Sequence, residues 1–384
     1  MLKKTLLLTS LFGALPTFTF AQESQNHFDI NGTIRFQYTH NDYLEDSGNE
    51  IDFADAVLWL NYQNENLTGH LDYRVYQAYG KLGGIHLPVN AWLDYQFLPD
   101  HHVKAGLQSV PVGLDRYDSS TYNLTQLYHL GLEDLNNWGV TYQYSPKDFN
   151  FTAGYFFHDA GSYTGKSKNS AHYSSNLTVE PNFTEGTQLK EKHTFALKAD
   201  KTLNYKIQES SISTRFGASY FYTELDNVVS NQTGDRQVWS VFQQTKFNQF
   251  GFNLIYGNQS IQNKDEKFKD VSTFGFFDGY YNVANEGDLL STEINYTIPT
   301  DFKDFSQPLL YSNYSRYLKK SNEFNDSERF INGVFVKYKT NFQFYLENIT
   351  SKNDTVFGPN ADGYAAGSEN KWNNFTYLSL GYYF

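Results

Sequence analysis

The feature that most limits the fold of this chain is a two-residue alternation that returns along its whole length. In His27 to His40, Phe28, Ile30, Ile34, Phe36 and Tyr38 share one face, while Asp29, Asn31, Thr33, Arg35 and Gln37 share the other. Leu67 to Ala78 sets Leu67, Leu71, Tyr73 and Val75 against His70, Asp72, Arg74 and Tyr76, and Val89 to Phe97 sets Leu93 and Tyr95 against Asn90, Asp94 and Gln96. A period of two is the signature of β-strands with one apolar and one polar face. A soluble sandwich alternates too, with its apolar face inward. Aromatic residues make up 18% of this chain, with 31 Tyr and 33 Phe, yet mean hydropathy is −0.58. A soluble core has no use for so many rings, whereas a barrel in lipid does, with an apolar outer wall, a polar interior and aromatic girdles at both interfaces.

The rest of the sequence agrees. Beyond the first 21 residues no apolar run is long enough for a helical span. Any span must then be a closed barrel, because backbone polar groups in lipid have to be paired internally. The absence of cysteine fits a protein that crosses an oxidising periplasm without disulfides. Residues 1–21 read as a secretory signal peptide. Lys3 and Lys4 form its basic start, Leu6 to Leu15 its apolar middle and Thr19-Phe20-Ala21 its cleavage site. Cleavage leaves 22–384 as the mature barrel and takes the formal charge from −12 to −14.

Strands are expected near 27–40, 51–63, 67–78, 88–98, 101–109, 137–145, 148–158, 191–203, 211–224, 236–246, 249–260, 286–298, 308–319, 328–339, 341–351 and 373–384. The connections alternate between long (41–50, 79–87, 110–136, 159–190, 225–235, 261–285, 320–327, 352–372) and short. Outer-membrane barrels show this rhythm, with short periplasmic turns, longer external loops and an even strand number. The fold class is therefore all-β: a transmembrane antiparallel β-barrel of sixteen strands. Fourteen or eighteen are the alternatives, because the aromatic run Phe274 to Tyr281 can form another strand. Sixteen strands leave room for an aqueous lumen.

One connection stands out. Val110 to Asn136 is long, aromatic-rich and lies between two good strands, and a connection of this length is usually functional. It is expected to fold into the barrel mouth and narrow a pore. The segment Val103 to Asp115 around it resembles the phosphate-selective (O/P-type) porin family. Gly106, Pro111, Gly113 and Asp115 match that family's strand glycine and its Pro-aromatic-Gly-x-acid turn into the third external loop, with Val112 in place of the aromatic. The resemblance implies a porin of the bacterial outer membrane, general or substrate-preferring, and a homotrimer. The final strand, with Leu378, Leu380, Tyr382 and Phe384 on one face, resembles the C-terminal strand of bacterial outer-membrane proteins. In that setting Tyr382 and Phe384 are the signal read by the barrel-assembly machinery.

The pore constriction is expected to use Asp115, Arg116, Tyr117, Asp118, Tyr122, Tyr128, Glu133 and Asp134. The lumen wall is expected to present Arg35, Arg74, Lys104, Lys198 and Arg215 against Asp29, Asp72, Asp94 and Glu293. In this reading Arg116, Asp115 and Asp118 oppose Arg35 and Arg74, and the transverse field sorts polar solutes. Tyr117, Tyr122 and Tyr128 narrow the passage or offer sugars a stacking surface, unless they only pack the loop on the wall. Anion-selective members of the resembled family line their channel with bases. Here the loop holds four acids and one base, the wall is mixed, and the net charge leans toward cations. Phosphate specificity is therefore not carried over.

Other chemistries find little support. His101 and His102 point to opposite faces of a strand and make a poor metal pair. Gly161 to Ser167 lacks phosphate-loop spacing and a following helix. No nucleophile stands in a recognisable catalytic setting, and no basic stripe suggests nucleic acid. No cofactor is implied, and the partners expected are membrane lipid and small hydrophilic solutes or ions. The alternative is a binding or adhesion barrel that acts through loops 159–190, 261–285 and 352–372 with its lumen blocked.

Overall fold

The computed structural model describes residues 26–43, 49–300, 302–306 and 308–384. The expected signal peptide, residues 1–21, lies outside the described residues, as do Glu45 and Asp46 of the first loop. Sixteen antiparallel strands close into one barrel. Numbered for the barrel alone, they are β1 His27–Asn41, β2 Glu50–Asn64, β3 Leu67–Ala78, β4 Lys81–Leu98, β5 His101–Ser109, β6 Asn136–Tyr144, β7 Phe149–His158 and β8 Leu189–Ile207. The second half comprises β9 Ser210–Asn227, β10 Gln232–Phe247, β11 Phe250–Gln262, β12 Glu286–Thr297, β13 Leu309–Lys319, β14 Ser327–Tyr338, β15 Phe342–Lys352 and β16 Trp372–Tyr383. Each strand pairs with the next. β16 returns to β1 in a register running from Thr33 opposite Tyr383 to Asn41 opposite Phe375, which removes both sheet edges.

The alternation works as a membrane barrel requires. Phe36, Leu93, Leu197, Val241, Leu346 and Leu378 stand exposed on the outer wall, while Thr33, Asp72, Lys198, Glu293, Asn313 and Ser379 are buried inside. A β-bulge corrects the face of one strand. Between the pairs Asp72–Asn90 and Tyr73–Pro88, Val89 is the extra residue. Above it, Ile85 and Leu87 turn inward to meet Leu124 and Tyr128, and below it Asp94 sits opposite Lys104.

Two connections expected to be long are tight hairpins. β3 runs into β4 through Tyr79 and Gly80, whose φ values of 56° and 69° suit a two-residue hairpin turn, so most of 79–87 is strand. Most of 225–235 is likewise taken up by the ends of β9 and β10. The aromatic run at 274–281 is indeed extended, but not in the wall. Val271–Phe276 and Gly279–Ala284 pair with each other, and the first also pairs with Asn176–Leu177, in a separate three-stranded sheet. The described residues hold a 3₁₀ turn at Arg116–Asp118 and a single-turn helix at Gln126–His129, both in the connection from β5 to β6.

The largest buried apolar cluster lies on one side of the interior. Val110, Leu127, Leu130, Leu132 and Leu135 of that connection join Leu225, Val238, Ile255, Leu289 and Phe274 in one buried cluster. Each fully buried leucine contributes roughly 2 kcal/mol. The segment is therefore held against the β9–β12 wall by hydrophobic burial, not by its charges alone.

Candidate pore constriction

The connection begins and ends in a closed neck, where the Val110 N–H donates to the Leu135 carbonyl at 2.8 Å. Its entry depends on two glycines. Gly106 has φ 134°, and a Cβ there would run into the Ala91 carbonyl. Gly113 has φ 58°, lies against the Ile255 side chain and donates its N–H to Ser219 Oγ at 3.0 Å. The 3₁₀ turn then presents Asp115, Arg116 and Asp118. Beyond it, two buried wall carboxylates hold the backbone. Glu293 accepts from the Ser120 N–H at 3.1 Å, Ser120 Oγ at 2.6 Å and Ser119 Oγ at 2.9 Å. Glu347 accepts from the Tyr122 N–H at 2.6 Å and the Asn123 N–H at 3.1 Å. Thr125 caps the short helix by accepting from the Leu127 N–H at 3.1 Å.

Two arginines, both with fully buried side chains, grip the far end. Arg329 donates to the Leu124 carbonyl at 3.2 Å and pairs with Asp354 at 2.6 Å. Arg236 donates to the Leu130 carbonyl at 2.6 Å. The His129 carbonyl accepts from Tyr281 of the three-stranded sheet at 2.6 Å and from Ser175 at 3.1 Å. Four chain segments thus meet at one short helix. Burial, then the neighbouring Arg329, push the His129 imidazole down to about 3, so it stays neutral and accepts from Arg329 at 3.3 Å. Burial pushes the Glu133 carboxyl above its usual range.

The expected constriction residues divide into two groups. Asp115 pairs with Lys198 at 2.7 Å and with Arg215 at 3.4 Å, and Asp118 pairs with Arg215. Partial burial pushes the Asp115 carboxyl up, but Lys198 and then Arg215 more than reverse this and hold it below the usual range. The bases facing these acids are therefore Lys198 and Arg215, not Arg35 and Arg74. Arg116 turns back onto its own loop and pairs with Asp134 at 3.0 Å. Tyr122 stacks on Tyr377 with ring centroids 5.1 Å apart, and the Arg35 guanidinium lies over the Tyr122 ring at 5.6 Å from its centroid. Tyr128, Glu133 and Asp134 are packing and anchoring residues. Tyr128 is buried and donates to the Tyr173 carbonyl, Glu133 accepts from Thr125, and Asp134 accepts from Tyr173. The Tyr117 side chain lies outside the described part of the structure.

On the wall, Arg35 pairs with Asp55 at 2.6 Å and Arg74 with Asp72 at 2.8 Å. Asp94 lies 3.2 Å from His102 and 3.8 Å from Lys104, whose ammonium sits 4.3 Å above the Trp92 ring. Asp29 is exposed beside His27 at the lower end of β1. Tyr382 and Phe384 stand on the outer face, and the Phe384 N–H bonds to the Gly32 carbonyl at 3.0 Å. Sequence reasoning missed Asp55, Glu347, Arg236 and Arg329. The last three occupy inward positions of their strands, so strand parity alone was a usable signal.

Two cavities flank the loop. One of about 280 Å³ is lined by Arg35, Arg74 and Arg116 with Asp55, Tyr122 and Tyr377. The other, of about 290 Å³, is lined by Lys104, Lys198 and Arg215 with Asp115 and Asp200. A third, of about 470 Å³, has one base, Lys246, and one acid, Asp118.

Comparison with known proteins fits this geometry. The barrel is similar to Salmonella typhi OmpF solved with daunomycin, with a TM-score of 0.61, 13% identity and coverage of 94% of this chain and 98% of that one. It is similar to an anion-selective porin from Comamonas acidovorans, with a TM-score of 0.57, 10% identity and coverage of 94% and 100%. It is also similar to the trimer form of the Vibrio cholerae outer-membrane protein OmpT, with a TM-score of 0.52, 17% identity and coverage of 94% and 99%. No curated protein matches the sequence. The family model for phosphate-selective porin O and P matches residues 28–275, most of the barrel. The chain belongs to the phosphate-selective porin O and P family and is an integral outer-membrane porin, a channel for the passive diffusion of solutes.

Proposed function

We propose that the passage is narrowed by segment 110–136 and that solutes move along the β1–β9 side of the lumen, with anions preferred. The observation that carries this is the lining of the two cavities beside the loop, where six bases face three acids. The acids of the opposite wall, Glu293 and Glu347, are buried and engaged with the loop backbone. Rings of base favour anions. Each of the six bases carries an acid partner, but Asp72, Asp94, Asp118 and Asp134 do not line either cavity, so anions meet mainly the basic member of those pairs. Tyr122 beside Arg35 offers a flat apolar face within that lining. The net charge of the whole chain does not set this preference, because the charges that count are those exposed to the lumen. Trimeric assembly is part of the reading and is supported by the trimer form of one similar barrel. No catalytic step is assigned to any residue. The test is the zero-current potential of refolded protein across a potassium chloride gradient. The expected sign is that of chloride preference, and Lys104→Glu is expected to move it toward potassium. A potassium preference in the unaltered protein overturns the reading.

A further inference from the structure

Between the loop and the wall of β11–β13 lies a small void of about 30 Å³. That is room for one ion with a water, since a single water needs about 10–15 Å³ on the same measure. Glu133 enters it from the loop, and Glu293 and Asn313 from the wall.

The groups around this void are out of balance in two ways. Their charge is the first. All the donors to Glu293 are neutral: Ser119, Ser120 and Asn295. No Lys or Arg among the described residues forms an ion pair with it, although only 2% of the residue is exposed. Glu133 takes both of its hydrogen bonds, from the Thr125 N–H and hydroxyl, on one oxygen. Hydrogen bonding is the second. Asn313 is 2% exposed and donates through Nδ2 to Ser291 Oγ at 3.3 Å, while its Oδ1 meets no donor among the described residues. A buried carboxylate and a buried unpartnered amide oxygen are both costly. A water molecule answers the second cost and leaves the first. A cation answers both.

We propose that this void is a calcium site that fastens the constriction loop to the barrel wall. Leu114, Leu127, Leu132 and Ile255 close part of the void, and Asp115 at its edge is taken by Lys198 and Arg215. The amide nitrogens of Asn253 and Asn313 are engaged elsewhere, so the polar atoms left to face it are oxygens, from Glu133, Glu293, Asn313, Ser119, Thr125 and Ser291. Oxygen-only donors select a hard cation. The donors come from a loop and two strands in an irregular arrangement, which suits the flexible six- to eight-fold coordination of calcium better than the strict octahedron of magnesium. Bound calcium bridges loop and wall at the point where Glu293 already holds Ser119 and Ser120. The inference rests on the reading that this loop narrows the passage.

The experiment uses the full barrel, refolded in detergent without lipopolysaccharide and stripped with a chelator. Calcium chloride is titrated in by calorimetry, and thermal unfolding is followed with and without it. One calcium per chain and a higher Tm in its presence are expected. Glu133→Gln, from the loop side, and Asn313→Ala, from the wall side, should each weaken uptake by about tenfold or more. Asp362→Asn, on an external loop, should leave it unchanged. No uptake by the stripped protein, or equal uptake by the protein and both variants, overturns the proposal. Conductance recorded on the same preparation separates the two readings. Open channels that bind no calcium sink the cation site alone, whereas calcium uptake by a barrel that never conducts sinks the passage.

Discussion

Arg329 is the residue on which most of the loop's anchoring converges. It pairs with Asp354, donates to the Leu124 carbonyl, contacts His129 and accepts no exposure to water. Removing one member of a buried pair leaves an uncompensated charge at a cost of about 3–5 kcal/mol. Arg329→Met should therefore lower the Tm of the refolded barrel well below that of a surface variant such as Lys371→Met. Equal unfolding curves for the two contradict this. His129 adds a pH dependence of known sign. Its folded-state value is depressed from the ordinary 6.5 to about 3. A base depressed in this way is neutral when docked and takes up a proton when released. Its contribution is fully present above pH 6.5 and is lost as the pH falls through the window toward 3, at up to about 1.4 kcal/mol per pH unit. Glu133 works in the opposite sense because its carboxyl is raised. The informative quantity is thus the difference from His129→Gln. The unaltered protein should lose Tm relative to that variant between pH 6.5 and 4, and parallel curves would refute the assignment.

At the scale of elements, the strands were legible because lipid enforces the period of two more strictly than a soluble core does. Every barrel strand overlaps its expected position, although β4 begins at Lys81 and not near 88, and the 373–384 strand closes on the 27–40 strand in the register that joins Tyr383 to Thr33. The long connections were not legible to the same degree. Tyr79-Gly80 is a two-residue turn whose positive φ values have no strong signature when Tyr stands first. The Phe274–Tyr281 run carried a correct strand signal, but a strand in an inner sheet reads like one in a wall. The partners of the loop charges were illegible for a simpler reason. Which base faces Asp115 depends on how high Lys198 and Arg215 sit, and strand parity gives the face but not the height. The division of labour inside the loop was hidden too, since Tyr122 and Tyr128 are the same residue type six positions apart and both border the 280 Å³ cavity, but only Tyr122 lies beneath Arg35, while Tyr128 is buried against Tyr173. Tyr122→Ala should therefore enlarge the 280 Å³ cavity and raise single-channel conductance modestly, while Tyr128→Phe, which loses only the bond to the Tyr173 carbonyl, should leave conductance unchanged. A reversed order of the two effects would place the passage elsewhere.

The whole molecule is a barrel whose connection from β5 to β6 is packed against one side of the interior. Hydrophobic burial against β9–β12 and the carboxylates of β12 and β15 hold the loop to one side, and the basic cavities lie on the other. On the proposed reading this held loop sets the bore of a channel that is otherwise wide. Single-channel recording in a planar lipid bilayer tests it most directly, with the refolded protein compared with a variant lacking residues 114–130. Stable open steps, grouped in threes for a trimer, and a larger step once the segment is removed are expected. A deletion variant that inserts with unchanged conductance, or a barrel that inserts and never conducts in either form, would contradict it.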